Sequence, residues 1–139
     1  MITYLVDTSA VVRMLTNRQV QQRWQDEFEA GVIGICDLVE LELLYSARSL
    51  VDRRDKKDAF GQLFSWVTTP DAVWSRSHRV QQLLTERGEH RSAGAADLLI
   101  AATAELNRLV VLHYDRGFDA IAAATGQPAA WVAEPGSIS

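Results

Sequence analysis

Apolar residues fall into two kinds of run along the chain. Short unbroken runs rich in β-formers occupy 2–6 (ITYLV), 31–35 (GVIGI) and 109–113 (LVVLH), with a weaker one at 129–133 (AAWVA). None alternates polar with apolar, which is the pattern of strands covered on both faces of a parallel sheet. The second kind has helical spacing, and it predicts helices over 9–16, 19–30, 38–50, 53–66, 72–87, 93–107 and 116–125. Strands alternating with helices predict an α/β fold. The expectation is one domain over 1–133, built on a mainly parallel central sheet of four to five strands flanked by helices. The tail 134–139 (EPGSIS) is expected to be loosely ordered.

Within 19–30, Val20, Trp24 and Phe28 recur at i, i+4 spacing. That stripe reads as core, or as part of a groove or dimer face together with Tyr45. The mixed-sign run RRDKKD at 53–58 reads as a solvated helix start, or as a contact for nucleic-acid phosphates.

Composition narrows the class. A length of 139 residues suits a single domain with a real core. The formal net charge of −4 carries no basic footprint of a nucleic-acid binder, although bound cations can reverse the sign of a local field. Cys36 is the single cysteine and so forms no internal disulfide. In VIGIC it reads as a small buried hydrophobe. The longest apolar stretch, AGAADLLIAATA, contains Asp97 and is too short for a membrane span. A soluble, cytoplasmic protein with no membrane association is expected.

The pattern is broken by carboxylates in apolar surroundings. Asp7 follows the first strand run in YLVDTSA, and Asp115 closes LVVLHYD. Asp7 suits a helix N-cap, as do Thr8 and Ser9, and Asp115 suits a turn with Gly117. Both also lie at the C-terminal ends of strands, where parallel sheets build their sites. Asp119 could join Asp115 if the last helix starts early. Asp97 sits three residues after Gly94, a plausible N-cap, and the helix dipole favours an acid there. In LVELELLYSAR, Asp37 and Glu40 have the spacing of a capping box. Glu42 lies ~200° around the helix from Glu40 and has no such structural task. Of the histidines, His78 and His90 read as surface residues, and His113, beside a strand end, as support for the site.

Four acids brought together repel one another and call for a compensating cation. Oxygen-only ligands suit Mg²⁺ or Mn²⁺. Taken in order, YLVDTSA, ELLYSAR, DLLIAATA and VLHYDRGFD resemble the motifs of the PIN-domain ribonucleases, in particular the VapC-type toxins of toxin–antitoxin pairs. The resemblance runs from the first strand to about residue 121. It implies a PIN-like domain in which Asp7, Glu42, Asp97 and Asp115 form the catalytic set. Asp7, Asp97 and Asp115 would hold Mg²⁺ or Mn²⁺, with Glu42 and Asp119 as further candidate ligands and Ser9 assisting. It implies an RNA substrate, a VapB-type antitoxin and a homodimer. The expected chemistry is in-line attack of water on an RNA phosphodiester, leaving a 3′-hydroxyl and a 5′-phosphate. Arg13, Arg48, Arg91 and Arg116 lie near the motifs and are candidate RNA contacts.

Two positions depart from the family. Gly117 stands where a further acid is common, and His113 where Thr or Ser is usual. Two rival readings remain open. A haloacid-dehalogenase-type phosphatase also has an acid after its first strand, but Ser9 occupies the place of its second Asp. The other rival is a catalytically silent PIN-like binding module.

Overall fold

The computed structural model describes residues 1–139. Five short strands form one parallel sheet in the order β3-β2-β1-β4-β5. They are β1 (Tyr4–Val6), β2 (Ile33–Ile35), β3 (Ser65–Trp66), β4 (Val110–His113) and β5 (Ala129–Trp131). The register pairs Leu5 with Gly34 on one side and with Val111 on the other. Leu5, Ile33 and Leu112 are fully buried, so these runs are apolar because both sheet faces are covered.

Eight helices cover the sheet: α1 (Thr8–Thr16), α2 (Arg18–Arg23), α3 (Gln25–Ala30), α4 (Asp37–Leu44), α5 (Leu50–Leu63), α6 (Val73–Glu86), α7 (Ala95–Leu106) and α8 (Gly117–Thr125). The α/β fold with a parallel sheet of five strands is as expected. None of the helices is long and apolar enough to cross a membrane. Cys36 is buried in the core.

Four local features differ from the periodicity reading. First, the helix expected over 19–30 breaks at Trp24, which caps α2 and starts α3 with φ −103° and ψ 8°. The indole is drawn inward, and its Nε1–H donates to the Val132 carbonyl at 2.9 Å. Val20 and Trp24 are therefore core, while Phe28 packs on Phe64. Tyr45 is not part of this stripe; it is exposed on α4's far end.

Second, the helix expected over 38–50 stops at Leu44. The Ser46 hydroxyl donates back to the Leu43 carbonyl, and the Ser49 hydroxyl accepts the Asp52 amide, capping α5. Such serine contacts compete with helix continuation. The next helix consequently begins at Leu50 rather than 53. Third, its expected end at 65–66 is instead the edge strand β3, held against β2 and by the Ser65 hydroxyl on the Gly31 carbonyl.

Fourth, Asp37 and Glu40 form no capping box. Cys36 occupies the N-cap of α4, and no side chain caps it. Glu40 points instead to α5, where Lys57 Nζ donates to its Oε1 at 2.8 Å. The box fails because the helix starts one residue early, so Glu40 falls a position past the reach of the N-cap amide.

The tail folds back on the sheet edge. The Tyr114 hydroxyl donates to the Ile138 carbonyl at 2.9 Å and accepts the Ile138 amide at 3.2 Å.

Candidate active site

The C-terminal edge of the sheet carries two of the expected acids. Asp7 is still bound into the sheet, its amide donating to the Leu112 carbonyl at 3.1 Å. Its carboxylate caps α1, with Oδ1 accepting the Ala10 amide at 2.9 Å. The Ser9 hydroxyl bonds the same carboxylate and accepts the Tyr114 amide at 2.9 Å. Asp7 is 3% exposed. Burial pushes its carboxyl up from 3.8 to about 6, against the opposing bonds from Ala10 and Ser9, and the charge of Asp97 adds to the rise.

Asp115 follows β4 and is exposed. Its Oδ1 accepts the Gly117 amide at 2.8 Å, and its own amide donates to Nδ1 of His113 at 3.2 Å. His113 is fully buried, between Phe118 and Trp131. Burial holds its imidazole below the usual value of 6.5, so the ring is a neutral acceptor toward Asp115.

Two helices supply the other acids. Gly94 caps α7 as expected and puts Asp97 in the first turn. Its carboxyl is raised by burial first, then by the charges of Asp115 and Glu42, with a backbone bond from Gly94 opposing them. Glu42 projects from α4 toward α1, and its Oε1 accepts the Thr8 hydroxyl at 2.7 Å.

The four acids thus share one electrostatic neighbourhood. A Cβ placed at Gly117 would lie 3.3 Å from Oδ1 of Asp115 and 3.5 Å from Oδ2 of Asp97, so these two carboxylates flank a common point. As the side chains stand, no three His, Cys, Asp or Glu groups close around an ion-sized point. Uncompensated carboxylates hold one another apart in this way. The donor set is all oxygen and mutually repelling, which fits a hard divalent cation and not zinc.

The remaining candidates separate clearly. Asp119 does not join the four acids: its Oδ1 accepts the Trp131 Nε1–H at 3.0 Å and lies 4.0 Å from Nε2 of His113. The physical reason is the start of α8 at Gly117, which places Asp115 before the helix and turns Asp119 toward β5. Ser9 spends its hydroxyl on Asp7 and Tyr114. Arg13 lays its guanidinium over the Tyr114 ring at 4.8 Å and donates to the Ser9 carbonyl. Arg48 leans on Asp52 at 3.6 Å. Arg91 and Arg116 are exposed, as are His78 and His90.

Sequence reasoning missed Thr8 as the partner of Glu42 and Ser92 as a wall of the site; the Ser92 carbonyl would stand 2.6 Å from a Cβ at Gly117. Thr8 was visible in the DTSA motif, one residue after Asp7. Nothing in the sequence marks Ser92.

The chain has counterparts among known proteins. Residues 4–124 match the PIN domain family. Ribonuclease VapC21 of Mycobacterium tuberculosis is 41% identical over 134 residues, covering 96% of each chain. Ribonuclease VapC18 of the same organism is 39% identical over 137 residues, covering 97% of this chain and 98% of the relative. In three dimensions, the chain resembles the DNA-bound VapBC of Salmonella typhimurium with a TM-score of 0.76 at 20% identity, covering 96% of this chain and 100% of that one. With VapBC2 of Rickettsia felis the TM-score is 0.77 at 16% identity, covering 94% and 98%. With the family match spanning residues 4–124 and relatives about 40% identical over nearly the whole length, this chain belongs to the PIN-domain family, alongside the ribonucleases named VapC.

Proposed function

We propose that the chain is an endoribonuclease that hydrolyses RNA phosphodiester bonds with a divalent cation, and that it is the toxin of a type II toxin–antitoxin pair. The observation that carries the reading is the meeting of Asp7, Glu42, Asp97 and Asp115 at one sheet edge, where they act on one another electrostatically. The relatives' names supply the ribonuclease activity, and the VapBC complexes supply the antitoxin as partner.

Asp7, Asp97 and Asp115 would hold Mg²⁺ or Mn²⁺. When bound, such a cation polarises a phosphoryl oxygen and offsets the charge that develops there. The chain's own groups do the rest. Asp7 is kept rigid by the Ala10 amide and the Ser9 hydroxyl. The Gly117 amide fixes the Asp115 carboxylate. Glu42, orientated by Thr8 on Oε1, positions the attacking water and takes its proton on Oε2. Exposed Arg91 and Arg116 supply phosphate contacts. Arg13 acts mainly through Tyr114, and Arg48 is the weakest candidate because Asp52 holds it. The reading extends to a cytoplasmic homodimer whose nuclease domain spans 1–133.

The phosphatase alternative is disfavoured by Ser9, whose hydroxyl is bound between Asp7 and Tyr114 where a second acid would be required. The silent binding module predicts no cleavage. The test is cleavage of RNA with Mg²⁺ or Mn²⁺, compared with EDTA and with Asp7→Asn. Cleavage that survives EDTA or the substitution sinks the proposal, and faster turnover of a small phosphate ester than of RNA favours the phosphatase.

A further inference from the structure

We infer that this chain's side chains hold one divalent cation rather than two, and that Asp119 is a strut of the site rather than a ligand. The inference rests on the metal-dependent reading above and specifies its stoichiometry. Two-metal sites place their ions ~3.5–4 Å apart and need acids enough to bridge and flank both. Here the position that would carry the additional acid is Gly117, and it is closed. A Cβ there would meet the Ser92 carbonyl at 2.6 Å, closer than real Cβ atoms come to backbone without a shift, and would press on Oδ1 of Asp115 at 3.3 Å. Gly117 is buried, and the atom nearest to such a Cβ is a backbone carbonyl, which cannot swing aside as a side chain can.

The other acid of the segment is engaged elsewhere. Asp119 accepts the Trp131 indole N–H at 3.0 Å. The same oxygen faces Nε2 of His113 at 4.0 Å, and that nitrogen has no other partner. His113 in turn accepts the Asp115 amide through Nδ1. Asp119 therefore ties α8 to β5 through Trp131, whose ring packs on His113, and His113 in turn holds the backbone of Asp115. One oxygen of its carboxylate is thus committed to β5. Four acids around one hard cation are sufficient, since such a cation keeps several waters and takes only a few protein carboxylates.

The test counts ions directly. Purified protein is dialysed to equilibrium against Mn²⁺, and bound metal is measured per chain, with no substrate present. One Mn²⁺ per chain is expected for the wild type. Asp119→Asn keeps an Oδ1 acceptor for Trp131 and removes the charge; it is expected to bind one ion with affinity unchanged. Loss of all measurable Mn²⁺ binding in that variant, or two ions in the wild type, overturns the inference while leaving metal dependence intact. No bound ion in the wild type overturns both. Gly117→Asp is expected to lower Tm without adding an ion, and a second ion at unchanged Tm would refute the crowding of the site.

Discussion

The two faces of α4 carry carboxylates of similar sequence context and opposite circumstance. On one face Glu40, nearly buried, meets Lys57 of α5 at 2.8 Å and is neutralised within the fold. On the other, Glu42 meets the Thr8 hydroxyl and adds its charge to the field that raises Asp97. A single residue, Leu41, separates them, and the helix turns them apart. A carboxylate beside a cation contributes to the folded state. A carboxylate beside other carboxylates costs it stability, and such a cost is tolerated where the charges serve a site.

The comparison is broken most severely by removing a member of the repelling set. Asp97→Asn is expected to reduce RNA cleavage by about 10⁴-fold or more, the scale of losing a group of the reacting centre, while raising the Tm of the metal-free protein. A fall in Tm would mean that the acids do not repel as described. Glu42→Gln is expected to slow single-turnover cleavage by about 10²–10⁴-fold, the usual range for a lost general base, with the Tm of the metal-free protein no lower than that of the wild type. Thr8→Val, which frees Glu42 to wander, should cost about tenfold in the same assay; an equal loss to Glu42→Gln would assign Thr8 a more direct part.

Next in size is a dependence on pH. Asp7 has its carboxyl raised from 3.8 to about 6, so the folded metal-free protein holds that proton more tightly than the unfolded chain. Its stabilising contribution is complete below about pH 4 and is lost as the pH rises through about 6. The size is about 3 kcal/mol at most. Denaturant melts in EDTA between pH 4 and 7 measure it, and Mg²⁺ should restore stability at the upper end. A melt that strengthens steadily with pH in EDTA would contradict the burial of Asp7. The smallest effect belongs to the neutralised face: Glu40→Gln should cost about 1 kcal/mol of stability and leave cleavage as it was.

Four of the five strands were legible because burial on both faces leaves an uninterrupted apolar run, as around Leu5 and Leu112. β3 was not, since two residues of an edge strand carry no pattern of their own. The four acids were legible because each violates its apolar surroundings. The partners that give those acids their properties were less so. Glu40 shares its charge with Lys57, which is 17 positions away, and local spacing suggested Asp37 instead. Asp119 was a reasonable neighbour for Asp115 on one turn of helix, yet Trp131 claims it from another strand. Gly117 could be noticed as a departure, but its confinement depends on the Ser92 carbonyl, and a backbone atom leaves no mark in the sequence.

That confinement has a historical consequence. With the Ser92 carbonyl 2.6 Å from where a Cβ would stand, an acid at 117 requires the backbone around Ser92 to shift with it. Ser92 lies two positions before the Gly94 cap of α7, so such a shift would reach the turn that carries Asp97. Change at this position is therefore easier in one direction than in the other, and the two segments are expected to evolve as a pair.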